Sequence, residues 1–150
     1  MKRLLPILLI TCVAFMTSCK HDVFYSQFHS IPSNNWHVDS IMHFDYTIAD
    51  TTMDYSMQIY IRHTERYPYQ NIWLFVGDSA SRDSMNVFLA DDRGKWYGDS
   101  NNGFIEVVVP FGNHLHFVDT GTYHLAIQHG MRDSLLRGVT EVGLEIKTGN

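Results

Sequence analysis

Tyr55-Ser56-Met57-Gln58-Ile59-Tyr60-Ile61-Arg62-His63 is the stretch whose reading decides the fold. Tyr55, Met57, Ile59 and Ile61 share one parity, and Ser56, Gln58, Tyr60 and Arg62 the other. Side chains of an extended chain point alternately to opposite faces, so this pattern predicts a strand with one buried face. The same period of two runs through 41–48, where Met42, Phe44, Tyr46 and Ile48 oppose His43, Asp45 and Thr47.

Working outward, the pattern recurs at regular intervals. Residues 71–76 are apolar on both faces and predict a central strand. Further strands are expected over 83–90, 104–109, 122–128 and 139–146, the second of these stopping at Pro110. Residues 114–118 fit an edge strand or an ordered loop. Residues 131–136 are the one stretch that fits a helical turn. Pro68, between Tyr67 and Tyr69, is a candidate for a cis bond. Asp119-x-Gly121-x-Tyr123 has the spacing of a tyrosine corner, in which the phenol bonds back to the upstream backbone. Together these features predict an all-β fold: a two-sheet antiparallel β-sandwich, jelly-roll or Ig-like, of about eight strands.

Ahead of this domain, residues 1–19 read MKRLLPILLITCVAFMTSC. A basic start, a short apolar core and small residues before a cut make a secretory signal. The apolar run is shorter than the roughly 20 residues a spanning helix needs. Met16-Thr17-Ser18-Cys19 resembles a bacterial lipobox, so Cys19 is the expected lipidation site and the new N-terminus. Lipidation of this type supplies more than one acyl chain, which a stable anchor requires. The expected organisation is a signal peptide over 1–18, a lipidated tether over 19–35 with Val23, Phe24, Tyr25 and Phe28 as docking points, and a sandwich domain over 36–150.

Composition narrows the chemistry. The net charge of −5 becomes more negative when Lys2 and Arg3 leave with the signal, which argues against a nucleic-acid partner. The two cysteines are Cys12 and Cys19. One departs with the signal and the other carries lipid, so a disulfide framework, a cysteine nucleophile and a cysteine zinc site are excluded. Nine histidines raise the question of a metal. His114 and His116 share a strand face, and His124 and His129 could join them, but no further ligand pair stands at a familiar spacing. No metal or other cofactor is expected. Serines occur without a Gly-x-Ser-x-Gly elbow, and the aspartates fall mainly in turns, where they bond their own backbone. No catalytic residue is assigned and no enzymatic activity is expected.

Across most of its length the chain resembles the gliding-motility lipoproteins of the GldH family of Bacteroidota. The matching features are Cys19 ahead of Trp36-x-x-Asp39, Met42-His43-Phe44 leading to Asp50, and Tyr55 to Arg62. They continue through Tyr67-Pro68-Tyr69-Gln70-Asn71-Ile72-Trp73-Leu74, Gly94-Lys95-Trp96-Tyr97-Gly98, Gly121-Thr122-Tyr123 and Gly138-Val139-x-x-Val142-Gly143-Leu144. The order of residues from Arg62 to Leu74 is the most specific part. The resemblance implies a lipoprotein associated with gliding motility and the linked secretion machinery, without catalytic activity. Its expected partners are other envelope proteins of that complex and the membrane that holds its lipid. The expected location is the cell envelope, at the outer membrane on its periplasmic or surface face, with the inner membrane as the alternative.

The competing reading is a glycan- or peptide-binding lipoprotein. Trp96 and Tyr97 lie beside a polar loop and could form a stacking platform, whereas Trp36 and Trp73 are expected in the core. Asp-Ser or Asp-Thr followed by a small or apolar residue resembles an O-glycosylation motif of exported Bacteroidota proteins. It places candidate acceptors at Ser40, Thr51, Ser79, Ser84 and Ser134, although such pairs are also good turn formers.

Overall fold

The computed structural model describes residues 22–149. Eleven strands follow in order: β1 (Asp22–Ser30), β2 (Asn35–His37), β3 (Met42–Ile48), β4 (Asp54–Thr64), β5 (Asn71–Gly77), β6 (Arg82–Phe88), β7 (Asp99–Asn101), β8 (Phe104–Leu115), β9 (Gly121–His129), β10 (Leu135–Arg137) and β11 (Val139–Gly149). One 3₁₀ turn, Pro32–Asn34, separates β1 from β2. Every pairing is antiparallel. One sheet has the order β1-β11-β4-β8-β7, the facing sheet β3-β9-β5-β6, and β10 and β2 form a two-stranded strip. This is the all-β sandwich predicted from the alternation.

The core lies where the two sheets face each other. Ile59, Ile61, Val142, Leu144 and Ile146 enter it from the five-stranded sheet, and Phe44, Ile48, Ile72, Leu74, Val76 and Ile127 from the other. Burying each such side chain is worth about 1.5–3 kcal/mol against leaving it in water. Trp36 and Leu136, paired across the β10–β2 strip, close one end. The indole N–H of Trp36 donates to the Ser40 carbonyl at 2.7 Å, so its one polar atom is satisfied in the interior. The tyrosine corner is present: the Tyr123 hydroxyl donates to the Asp119 carbonyl at 2.8 Å.

Several expectations are corrected. Residues 22–30, assigned to the tether over 19–35, are the strand β1, paired with β11 from Asp22↔Thr148 to Ser30↔Glu141. Residues 131–136 form no helical turn; the chain enters β10 there instead. No peptide bond among the described residues is cis, so Pro68 is trans. β8 does not stop at Pro110 but runs on to Leu115. β7 pairs only with Phe104, Ile105 and Glu106, so Pro110, paired with Gln58 of β4 on one side, lies on a stretch of β8 whose other edge is free, the kind of position where a strand tolerates proline. Finally, β5 is an inner strand of its sheet but is buried on one face only: Trp73 is 43% exposed, not core.

Candidate binding face

The outer face of β5 follows from the same alternation that builds the core. Ile72, Leu74 and Val76 point inward, which turns Asn71, Trp73 and Phe75 toward solvent. Register places Phe88, Asn86 and Ser84 of β6 beside them. Phe75 is 41% exposed and Phe88 63%. Single exposed apolar residues are ordinary; an aromatic row on one sheet face is a feature that binding surfaces share.

A groove of about 390 Å³ opens at one end of this row, lined by Tyr69, Asn71, Trp73, Gly130, Met131 and Arg132. It exists because β9 leaves the sheet at that point. The Gly130 N–H donates to the Trp73 carbonyl at 2.7 Å, and the next ladder position is filled by a side chain: the Trp73 N–H meets the Met131 Sδ at 3.3 Å. A Cβ at Gly130 would come within 2.9 Å of the Phe75 ring, so the glycine lets that ring approach the exit of β9 closely. Upstream, Tyr67 turns inward and its hydroxyl donates to the Asn71 carbonyl at 2.8 Å. Two residues on, Tyr69 faces out and donates to Asp133 Oδ2 at 2.7 Å. That bond to a carboxylate raises the Tyr69 pKa and fixes the ring at the groove wall. The Asn71 amide is held by Asn86 at 2.6 Å. Ring faces, an amide and the Arg132 guanidinium thus converge on one opening.

The sequence-predicted residues lie elsewhere. Trp96 is half-buried and packs edge-on against His63 at 4.7 Å and near Tyr67 at 6.4 Å. Tyr97 is 47% exposed. The segment is extended, with Trp96 bridging Ala90 and the Tyr97 N–H bonded to the Leu89 carbonyl, so adjacent rings diverge and form no common platform. Ser40, Ser79, Ser84 and Ser134 are exposed and Thr51 is half-buried. Asp50 and Asp78 behave as turn aspartates: Asp50 accepts from the Thr52 hydroxyl at 2.6 Å and the Thr52 N–H at 2.8 Å, and Asp78 from the Ser81 and Ala80 N–H groups at 2.7 Å, which lowers both carboxyl pKa values. Cys19 lies outside the described residues.

Of the histidines, His114 pairs with Asp54 at 2.6 Å and His124 with Asp45 at 2.7 Å. His116 joins neither pair, because His114 sits at φ 54° and breaks the strand alternation. Ser79 borders the same cleft as Asp45 and His124. His63 and His129 are fully buried, and burial pushes both below the ordinary value of 6.5.

The uniformly apolar run 72–76 hides the surface formed by Tyr69, Asn71 and Trp73. The available signal was Asn71, which shares parity with Trp73 and Phe75 and marks their face as the wet one.

Comparison with known proteins agrees with the motifs. A 28% identical relative, the gliding motility lipoprotein GldH homolog of Christiangramia forsetii, aligns over 94% of this chain and 93% of its own. The gliding motility lipoprotein GldH of Flavobacterium johnsoniae is 24% identical over 93% and 94% respectively. A chain in the structure of black queen cell virus covers 85% of this chain and 68% of its own at 13% identity, with a TM-score of 0.28, too low to indicate a shared fold. The GldH lipoprotein family model matches residues 23–146, from the first strand to the last, and the chain belongs to that family.

Proposed function

We propose that this motility-associated lipoprotein is a non-catalytic contact component of the envelope, holding a partner of the motility and linked secretion machinery at the membrane face. Tethering raises the effective concentration of such a partner at that face. The observation that carries this reading is the aromatic row on the outer face of β5 and β6, which ends in the Tyr69–Trp73 groove. Aromatic side chains with a polar handle are the residues that dominate protein contact surfaces. The test is cross-linking and affinity capture from native membranes with wild type and Trp73→Ser/Tyr69→Ser. The variant should stay folded and membrane-bound, lose its envelope partner at least several-fold, and impair spreading of a gliding host. An unchanged partner profile would remove the groove from the account. Capture of no envelope protein by the wild type would remove the contact role itself.

A second reading is favoured by one feature of the same groove. Trp73 and Tyr69 offer ring faces beside the Asn71 amide and the Arg132 guanidinium, a combination that suits the apolar face and hydroxyls of a sugar. Glycan binding is thus proposed here rather than at Trp96 and Tyr97. Titration with envelope oligosaccharides should shift Trp73 fluorescence in the wild type and not in Asn71→Ala/Arg132→Ala. We also propose that the exposed Ser40, Ser79, Ser84 and Ser134 are the better O-glycan acceptors, Thr51 being half-buried in its turn. An intact mass of native-host protein equal to lipid plus polypeptide would end that idea.

A further inference from the structure

One end of the sandwich is set apart by what it exposes and by where the chain enters it. Asp22 opens β1 and is paired with Thr148; Asp54 is paired with Gly149, and Tyr55 with Leu115. The beginnings of β1 and β4, the ends of β8 and β11 and the loop 116–120 therefore lie together. Three apolar side chains are exposed at this end: Val118 at 90%, Val23 at 52% and Phe24 at 39%.

Their exposure is built rather than incidental. Phe117 turns inward, 5.3 Å from the Tyr55 ring and 4.7 Å from Tyr123. Tyr123 fixes the other side of the loop by its bond to the Asp119 carbonyl at 2.8 Å. Val118, between these two fixed points, is turned outward. At the edge of the same sheet, Phe24 is the extra residue where the β1–β11 register shifts between Val23 and Tyr25. Its ring meets Tyr55 edge-on at 5.5 Å, which makes Phe24, Tyr55, Phe117 and Val118 one continuous rim.

Chain length says what covers this rim. Cys19 precedes Asp22 by three residues, which span at most about 11 Å fully extended. A lipidated Cys19 therefore holds this end, and no other, within that distance of the bilayer. We propose that the rim rests on the membrane, with Val118, Val23 and Phe24 entering the interfacial layer as a second, non-covalent contact. This rests on the reading of Cys19 as the lipidated residue. The contact is apolar, not electrostatic. Asp22 and Asp119 are acidic, Asp54 is engaged by His114 at 2.6 Å, and Lys147 is engaged by Glu145 at 2.9 Å. A zwitterionic lipid surface fits this end, and an anionic one is disfavoured.

The test uses the mature lipidated protein in phosphatidylethanolamine/phosphatidylcholine vesicles carrying nitroxide-quencher lipids. A fluorophore is attached to the single free thiol of Val118→Cys or, at the opposite end, of Glu65→Cys. Both positions are exposed, so neither substitution threatens the fold. Quenching at position 118 should exceed that at position 65 at least threefold and should be unchanged by 0.5 M NaCl. Equal, weak quenching at both positions, in protein whose intact mass includes the lipid, overturns the resting contact. An intact mass without lipid overturns the Cys19 reading and the rim proposal with it.

Discussion

At the residue scale, burial decides which aromatic and histidine side chains matter to stability and which to contact. Trp36 and Trp73 are the same residue in opposite situations. Trp36→Ala should cost about 3–5 kcal/mol, since it empties a fully buried site. Trp73→Ala should cost less than about 1 kcal/mol, and urea unfolding of the two variants checks the contrast. His63 donates from Nδ1 to the Thr64 carbonyl at 3.0 Å, and His129 from Nε2 to the Trp36 carbonyl at 3.2 Å. The second ring nitrogen of each has no partner, so a second proton would arrive unsatisfied. Both folded pKa values are depressed below 6.5. The unfolded chain therefore takes up protons that the native state refuses, and stability falls as pH drops through 6.5 toward the folded values. Urea midpoints should decrease from pH 7.5 to pH 5.5, and His63→Gln/His129→Gln should flatten the slope whatever its absolute stability. Both effects are absent if these two sites do not control the acid limb. Tyr123→Phe removes the corner bond and should cost about 0.5–1 kcal/mol, read as a lower melting temperature.

At the element scale, β1 changes from connector to structural strand. Its removal would bare the edge of β11 and uncover Tyr46 and Tyr60, against which Tyr25 and Phe28 pack. Deleting residues 22–30 should therefore give an aggregating or unfolded chain, while a tether of the same length would tolerate deletion; circular dichroism and solubility separate the two. β1 also explains a glycine in the last strand. Phe28 lies directly over Gly143, where a methyl group would collide with its ring. Gly143→Ala should cost about 1–3 kcal/mol by overpacking. Pairing it with Phe28→Ala should recover part of that loss, a coupling that a double-mutant cycle measures. Gly138, by contrast, is required by its backbone: φ is +88° and a Cβ would lie 2.7 Å from the Tyr67 nitrogen.

At the scale of the whole molecule, the strands run from the Val118 end to the Tyr69–Trp73 groove. The nine residues of β9 separate the two by roughly 30 Å. If the rim rests on the bilayer, the groove is presented away from it, at a fixed height where a partner can reach it. Lengthening the link between Cys19 and Asp22 by about ten flexible residues would free the rim. Fractionation should be unchanged by such an insertion, while quenching at position 118 and partner capture should both fall.

Period-two alternation by itself determined an all-β fold of half-buried strands, because a strand with one wet and one dry face must have its dry face covered. The motifs from Trp36 to Leu144, the most specific of them between Arg62 and Leu74, likewise pointed to this lipoprotein family from sequence alone. Tertiary structure decided what alternation cannot encode. Whether 22–30 is tether or strand depends on an edge of β11, more than 100 residues away, being open to receive it. Whether 72–76 is covered on two faces or one depends on how many sheets pack against it, and here only one does. Trp73 thus moved from core to surface and Trp96 from platform to packing, since a side chain's polarity fixes its preference for burial but only its neighbours in space fix what covers it.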